Sequence, residues 1–217
     1  MMDFALSKSA PQFSPRQRKY LERHTQLSLE KVFNIQQVHG RRVVLATRRS
    51  YQAQTKIPQA DAVVTQEVGV PIAVRTADCL PIFFCDTRHH VIAVVHAGWR
   101  STRKRIAEAT LQLMREKFGT RAKDLKVVFG PALRSCCYEV GKEFLRYFPQ
   151  EVSHRNGRLF FDLVAANKRQ LIALGVRPSG IVDRRKCTFC QPGYASYRRD
   201  AEQSTRMLSV MMLKDEK

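Results

Sequence analysis

The chain has 217 residues, of which 44% are hydrophobic and 26% charged, a balance typical of folded globular proteins and not of disordered segments. It contains no run of about 20 apolar residues that would span a bilayer and no basic segment followed by a hydrophobic one at its start. Its six cysteines are too few and too unevenly spread for a disulfide-stapled secreted scaffold. We therefore expect one cytoplasmic domain over residues 1–217, with residues 1–15 loosely ordered, and we favour a monomer.

The formal net charge is +19, from 38 Lys and Arg against 19 Asp and Glu. Such a surface attracts phosphate groups, so it fits either a small phosphorylated ligand or a nucleic acid. The basic residues are spread along the chain without an RGG tract, a basic tail or an aromatic RNA-binding motif. A small-molecule ligand is therefore the favoured interpretation.

The first half of the chain predicts one helix followed by several strands. Leucines scattered among charges favour a helix over Arg16–Lys31. Short apolar, β-branched runs bounded by turn residues then predict the strands Val43–Ala46, Ala62–Thr65, Pro71–Arg75, Leu80–Cys85 and Val91–His96. Apolar residues next recur at spacings of three and four, which predicts an amphipathic helix over Thr102–Phe118 that ends at Gly119.

The second half mixes both kinds of element. The pattern predicts a strand at Leu125–Phe129, a helix at Glu139–Phe148, a helix capped by Asp162 that stops at Gly175, and strands at Ile181–Asp183 and Met207–Leu213. Strands and helices are mixed without a regular βαβ repeat. An α+β architecture with mixed sheets is therefore expected.

Three residues with metal-binding side chains, His39, Cys79 and His96, each lie at the predicted end of a strand beside Gly or Pro. Two imidazoles and one thiolate form a three-ligand set that leaves a fourth position for water, as catalytic zinc sites do. The three lie far apart in the sequence, however, and a single His or Cys more often packs or forms a hydrogen bond. Spacing alone leaves both interpretations open.

The other cysteines give weaker signals. Cys187 and Cys190 form a Cys-x-x-Cys pair, which is typical of a redox site or of half a zinc site. Because the chain has no second pair with this spacing, we interpret the pair as structural or adjacent to the substrate. Packing is the interpretation for Cys136 and Cys137, and a core position is expected for Cys85.

Several ordered motifs together resemble one known family. They are Gln37-Val38-His39-Gly40, Thr76-Ala77-Asp78-Cys79-Leu80-Pro81, Val95-His96-Ala97-Gly98-Trp99-Arg100, Gly130-Pro131, Cys137-Tyr138-Glu139-Val140-Gly141, Phe161-Asp162-Leu163, Cys187-Thr188-Phe189-Cys190 and Ser196-Tyr197-Arg198-Arg199-Asp200. In this order, from Ile35 to the C-terminus, they resemble the laccase-domain family of bacterial and animal purine nucleoside phosphorylases. The glycine loop that usually opens the family is represented only by Phe13-Ser14-Pro15-Arg16, without its glycine pair.

The resemblance implies a fold, a metal site and an activity. It implies a four-layer α/β/β/α sandwich, in which helices flank two mixed sheets, and a zinc site formed by His39, Cys79 and His96. It also implies phosphorolysis of adenosine, inosine and methylthioadenosine, together with deamination of adenosine. The expected partners are a purine nucleoside and phosphate.

Residue chemistry adds further candidates around this site. The turn after His96 leads into the predicted helix, where the free backbone N–H groups of Ser101 and Thr102 would bind phosphate. The guanidinium groups of Arg100, Arg198 and Arg199 are candidate phosphate ligands. Beside the Cys79 ligand, Asp78 is a candidate acid or base, or a residue that orients a ligand.

Three other functions remain open. Two His and one Cys also hold copper, so phenol oxidation by a copper enzyme is one alternative. A blue-copper site with a trinuclear cluster would need more imidazoles than the six histidines of the chain. Relatives described as peptidoglycan editing factors indicate a hydrolase acting on a cell-wall precursor, and the charge allows a nucleic-acid-binding protein without catalysis.

Overall fold

A computed structural model describes residues 32–54 and 56–214 of the chain, together with Lys19, Arg23 and the backbone of residues 6–8. The predicted helix Arg16–Lys31 and the Phe13-Ser14-Pro15-Arg16 segment therefore lie almost wholly outside the described residues. Twelve strands fall within them. These strands are β1 (Leu6–Lys8), β2 (Val43–Leu45), β3 (Ala62–Thr65), β4 (Ile72–Thr76), β5 (Leu80–Asp86), β6 (Val91–Ala97), β7 (Lys126–Phe129), β8 (Glu139–Val140), β9 (Val152–Arg155), β10 (Arg158–Phe161), β11 (Ile181–Asp183) and β12 (Met207–Met211).

Six α-helices connect these strands within the described residues. They are α1 (Arg48–Gln52), α2 (Trp99–Arg103), α3 (Ile106–Phe118), α4 (Glu143–Tyr147), α5 (Leu163–Ala173) and α6 (Tyr197–Asp200). None of these described helices has the length and apolar character that a bilayer crossing needs. Short 3₁₀ turns occupy Ala122–Asp124, Pro178–Gly180 and Ala201–Gln203.

The six-stranded sheet at the centre carries the order β11-β7-β5-β6-β3-β2. Strands β5 and β6 pair antiparallel along their whole length, from Leu80 opposite Ala97 to Asp86 opposite Val91. They are almost fully buried on both faces, which explains their continuous apolar sequence. The ends of these two strands lie side by side, and this brings residue 79 and residue 96 into one neighbourhood.

Two apolar cores flank the central sheet. Helices α3 and α5 cover one face, where Ile106, Leu111 and Met114 pack against β6 and β3. On the other face lies the antiparallel sheet β1-β12-β4, and Ile72 and Val74 of β4 pack there against β6. The described residues thus form three layers, one of helices followed by two of β-sheet. The fourth layer stays a prediction.

The α+β class is confirmed, with several differences in detail. The six-stranded sheet is mixed because β2 and β11 run parallel to their neighbours, whereas both three-stranded sheets are antiparallel. The single helix predicted over Thr102–Phe118 is wrong, since Arg105 adopts a left-handed φ of 61° and separates α2 from α3. As predicted, α3 ends before Gly119, whose φ of 71° suits a glycine.

The region after β7 departs furthest from the prediction. The helix expected over Glu139–Phe148 begins only at Glu143, because Glu139 and Val140 pair with β10 as strand β8. The hairpin of β9 and β10, which turns at Asn156 and Gly157, was missed entirely. Asp162 caps α5 as predicted, since its carboxylate accepts a 2.8 Å hydrogen bond from the Ala165 amide.

Candidate metal centre and cleft

Three metal-binding side chains converge at the edge of the central sheet. His39 lies in the loop before β2, Cys79 immediately precedes β5, and His96 is the penultimate residue of β6. One ligand atom from each lies within 4.8 Å of the others, and Cys79 Sγ is 4.0 Å from His39 Nε2. The convergence that the metal prediction requires is therefore present, while metal binding itself stays a prediction.

Asp61 holds two of these residues in place. Its fully buried carboxylate accepts a 2.8 Å hydrogen bond from Nδ1 of His96, and it accepts the backbone amides of His39 at 2.9 Å and Gly40 at 2.6 Å. Because Nδ1 of His96 is engaged, Nε2 is the atom left for a metal. Asp61 lies just before β3 and was missed by sequence reasoning, since no spacing rule connects it with His96.

The charges of this group support one another. Burial acts to raise the pKa of Asp61, but the hydrogen bonds from His96 and the Gly40 amide hold that pKa below its usual value. Burial also opposes an ionised Cys79, yet the neighbouring His96 and His39 lower the pKa of this thiol to about 6. For His96, burial acts to lower the pKa, but the neighbouring Cys79 and Asp61 outweigh this effect and raise the pKa to about 9. A thiolate is therefore favoured at neutral pH.

The backbone packs closely against the three metal-binding side chains and is partly strained. A Cβ atom at Gly98 would lie 2.8 Å from Cys79 Sγ and 3.2 Å from His39 Cδ2, so only glycine fits there. His39 and Asp78 both adopt left-handed φ angles, of 53° and 78°. Non-glycine residues in this region are uncommon and tend to occur at functional sites.

The donor set fits a metal such as zinc. Tetrahedral coordination with Zn–N near 2.0–2.1 Å and Zn–S near 2.3 Å separates nitrogen and sulfur by about 3.6 Å, and the 4.0 Å between His39 and Cys79 is close to this value. Three protein ligands satisfy three of four tetrahedral positions. The fourth would stay open for water or substrate, as it does in catalytic zinc sites.

The cleft beside the three ligands has a volume of about 660 Å³. Four arginines and one carboxylate, that of Asp78, line it, so its charge is strongly positive. Aromatic side chains also line it and offer flat faces. The arginines are Arg75, Arg100, Arg198 and Arg206, and the aromatic residues are Trp99, Tyr138 and Tyr197.

Three of the predicted residues beside the metal ligands lie in this cleft. Arg100 packs its guanidinium 4.4 Å from the centre of the Trp99 ring, and Arg198 donates to the carbonyl of Glu139 at 3.0 Å. Asp78 accepts the Thr188 hydroxyl at 2.6 Å and the Arg198 amide at 2.6 Å. Since both carboxylate oxygens are engaged, the geometry favours an orienting role for Asp78.

The other three predicted phosphate ligands do not line the cleft. Ser101 and Thr102 are fully buried, and the Thr102 amide donates to the carbonyl of Gly98 within the short helix. The Arg199 guanidinium binds Asp200 and the carbonyls of Thr188 and Tyr194. The Thr102 amide and the Arg199 guanidinium are therefore engaged within the fold, and Ser101 is buried away from the cleft lining.

A second group of sulfurs lies at the surface near the cleft. Cys136, Cys137, Cys187 and Cys190 place their Sγ atoms within 4.8 Å of one another, and all four are free thiols. Cys187 is buried, but Cys136 and Cys190 are exposed. Cys136 and Cys137, which we interpreted as packing residues rather than a vicinal disulfide, are free thiols, and their sulfurs face the Cys187-x-x-Cys190 pair.

The family model described as multi-copper polyphenol oxidoreductase laccase matches residues 8–214. The chain belongs to this family. That match covers nearly the whole chain and includes the three metal-binding motifs and the four cysteines. The predicted resemblance is confirmed.

Several relatives extend the comparison. A purine nucleoside phosphorylase of Aquifex aeolicus is 39% identical over 155 residues, which cover 71% of this chain and 72% of the relative. Adenosine deaminase RL5, from an unknown prokaryotic organism, is 34% identical over 71% of this chain and 64% of its own length. The crystal structure of YlmD from Geobacillus stearothermophilus matches with a TM-score of 0.83 and 30% identity, covering 92% of this chain and 79% of that one.

Proposed function

We propose that the chain is a zinc-dependent purine nucleoside phosphorylase that acts on adenosine, inosine and methylthioadenosine and also deaminates adenosine. The observation that carries this proposal is the convergence of His39, Cys79 and His96 in a cleft lined by arginines and aromatic rings. The names of the Aquifex relative and of adenosine deaminase RL5 support it. We also propose that residues 1–217 form one catalytic domain that acts in the cytoplasm.

The aromatic side chains suit a purine base. Tyr138 and Tyr197 line the cleft together with Arg198, whose guanidinium lies 5.7 Å from the centre of the Tyr138 ring, and a planar purine gains contact area by stacking on such rings. Burial raises the pKa of Tyr138, so its hydroxyl remains protonated and can donate to a ring nitrogen. Hydrogen-bond donors of this kind stabilise the negative charge that a purine acquires as it leaves the sugar.

The arginines suit phosphate. A guanidinium presents a planar fork of donors that matches two phosphate oxygens. Arg100 and Arg198 flank the metal-binding side chains, and Arg75 and Arg206 extend the positive lining. We assign Arg100 and Arg198 to phosphate. Asp78 holds Arg198 in position through the Arg198 amide.

Phosphorolysis then follows from the arrangement. An oxygen of the held phosphate forms a bond with C1′ of the ribose as the bond from C1′ to the purine nitrogen breaks, and the electron pair of that bond passes to the purine. A bound zinc ion supplies Lewis-acid polarisation in this site. Arg100 and Arg198 position the phosphate, which lowers the entropic part of the barrier.

Zinc rather than copper is proposed because the chain is poor in imidazoles. The six histidines in the sequence are fewer than a blue-copper site and a trinuclear cluster together require. Metal analysis of protein purified without added copper tests this assignment. Zinc at the centre is expected, and stoichiometric copper with a strong visible band would overturn it.

The activity itself is tested by incubating the purified full chain with adenosine, inosine and methylthioadenosine, with and without phosphate. We expect base and ribose 1-phosphate (methylthioribose 1-phosphate from methylthioadenosine) only when phosphate is present, and inosine from adenosine in either condition. Cys79→Ala should abolish all products, whereas Cys85→Ala, a substitution at a partly buried residue away from the centre, should retain them. Release of base by Cys79→Ala, or turnover confined to a nucleotide-linked amino-sugar precursor, would contradict the proposal.

A further inference from the structure

The four-cysteine cluster, formed by Cys136, Cys137, Cys187 and Cys190, lies outside the centre described above. Two tight turns carry it. In one, the Cys137 amide donates to the Arg134 carbonyl at 2.9 Å, and in the other the Gln191 amide donates to the Cys187 carbonyl at 3.2 Å. Each turn presents two thiols to the opposite turn.

The backbone locks the two turns together independently of the sulfurs. Ala132 and Cys187 form a parallel β-bridge, the Thr188 amide donates to the Ala132 carbonyl at 3.0 Å, and the Ala132 amide donates to the Lys186 carbonyl at 3.1 Å. The four thiols are therefore held close by the fold. Their approach does not depend on the rotation of flexible side chains alone.

The sulfur separations match a shared metal ion. Cys136 Sγ lies 3.5 Å from Cys187 Sγ and 3.7 Å from Cys190 Sγ, and Cys137 Sγ lies 3.2 Å from Cys190 Sγ. Four sulfurs placed tetrahedrally around zinc at about 2.3 Å are about 3.8 Å apart. All four ligand positions would then be filled.

Groups around the four-cysteine cluster would offset the negative charge of metal-bound thiolates. The Cys187 sulfur accepts hydrogen bonds from the backbone amides of Cys190 and Arg134, which stabilise negative charge on sulfur. Arg155 donates to the carbonyls of Ser135 and Cys136, at 2.5 Å and 3.3 Å. Three further basic residues, Arg184, Arg185 and Lys186, directly precede Cys187. Four thiolates and one Zn²⁺ carry a net charge of −2, and this basic environment offsets it.

We propose that the four-cysteine cluster binds one zinc ion as a structural site, separate from the His39–Cys79–His96 centre. Four protein thiolates leave no open coordination position, so this ion has no direct role in chemistry. Its effect is mechanical. Thr188, between Cys187 and Cys190, donates to Asp78 at 2.6 Å, and Tyr138 follows Cys137, so the ion would tie two parts of the cleft lining together.

The test uses Cys79→Ser, which removes a ligand of the first centre and leaves the four-cysteine cluster intact. The full-length variant is purified under reducing conditions, its zinc content is measured, and its thiols are alkylated before and after treatment with a chelator. We expect about one zinc per chain, four thiols protected from alkylation, and reactivity of all four once the zinc is removed. Exposed Cys136 and Cys190 should be protected as well as buried Cys187.

Three results would overturn the proposal. One is a zinc-free Cys79→Ser protein whose exposed thiols react at once. The second is oxidation of the thiols to disulfides in protein that holds no metal. The third is bound iron, with visible absorption, in place of zinc. A second variant, which combines Cys137→Ser with Cys190→Ser, should lose the zinc of the four-cysteine cluster and keep the zinc of the His39–Cys79–His96 centre. The control Cys85→Ser should keep both. If the double variant fails to fold, the Cys79→Ser measurements still decide.

Discussion

The His39–Cys79–His96 centre and the four-cysteine cluster both gather soft metal ligands, but they differ in number, support and access. The first has three ligands, two at the ends of β5 and β6 and one in the loop before β2; the buried Asp61 supports it, and it opens into a basic cleft. The second has four ligands on surface turns. An incomplete ligand set on rigid strands beside a cleft suits catalysis, whereas a complete set on turns suits bracing.

The largest effect is expected from Cys79→Ala. Loss of this thiolate should remove the metal of the centre and lower phosphorolysis by about 1,000-fold or more, equivalent to roughly 4 kcal/mol of transition-state stabilisation. Metal analysis and base release measured on the same sample check it. Cys85→Ala is the matched control, and normal turnover by a metal-free Cys79→Ala enzyme would show that the centre is not catalytic.

Gly98→Ala tests how tightly the centre is built. A methyl group at residue 98 would lie 2.8 Å from Cys79 Sγ and must displace it. Because displacement by about 1 Å can cost about 100-fold in activity, we expect a loss of this order. Gly193→Ala is the control, since a Cβ there meets nothing within 4 Å. Equal activity in the two variants would mean that the ligand positions are tolerant.

Asp61→Asn tests how much the buried carboxylate that holds His96 contributes to metal binding. The substitution weakens the hydrogen bond that orients His96, and groups in this position typically contribute about 10- to 100-fold in metal affinity. Competition with a chelator of known affinity measures the change. Asp86→Asn is the matched control, because Asp86 is also buried and also pairs with a histidine, His89, at 2.8 Å, but outside the cleft. This substitution should leave metal affinity unchanged. A similar loss in both variants would indicate general destabilisation.

The double change Cys137→Ser with Cys190→Ser separates bracing from catalysis. Because Thr188 and Tyr138 adjoin the four-cysteine cluster, we expect KM for the nucleoside to rise several-fold while kcat changes less than twofold. This expectation depends on the proposed activity. Steady-state kinetics of protein that retains its first zinc provide the measurement, and a collapse of kcat with unchanged KM would assign the cluster a chemical role.

The smallest effect concerns Asp183, which forms a two-pronged ion pair with Arg134 beside the four-cysteine cluster. Although burial opposes it, Arg134 lowers the pKa of Asp183 in the folded protein. The resulting stability is present above the unfolded pKa, near 3.9, and is lost as the pH falls through the folded value. Asp183→Asn should cost about 2 kcal/mol in the free energy of unfolding at pH 7.

Denaturant titrations at pH 7 and below pH 4 check this prediction, since the difference between wild type and Asp183→Asn should shrink in acid. The exposed pair of Arg48 and Glu67, at 3.9 Å, supplies the control. Glu67→Gln should change stability little. A cost for Asp183→Asn that is independent of pH would mean that packing, not the ion pair, accounts for it.

Sequence reasoning predicted the central sheet and the three metal-binding residues because both leave local signals. Buried strands such as Leu80–Cys85 are apolar throughout, and the ligands stand in distinctive motifs at their ends. Asp61 was missed because its partner His96 is 35 residues away and no local pattern joins them. The break at Arg105 was also missed, because a left-handed residue other than glycine leaves no trace in hydrophobic periodicity.

The four-cysteine cluster shows the same limit. The Cys187-x-x-Cys190 spacing is typical of half a site, but adjacent Cys136 and Cys137 lack this spacing and so do not indicate the other half. The parallel bridge between Ala132 and Cys187 brings them together across 55 residues of chain. Long-range pairing of this kind depends on tertiary structure.

The most direct test of the central claim is a crystal structure of the full chain with anomalous scattering recorded at the zinc edge. We predict a peak within about 2.0–2.3 Å of His39 Nε2, Cys79 Sγ and His96 Nε2. A map with no anomalous peak between these three side chains, from active protein crystallised without chelators, would contradict the account.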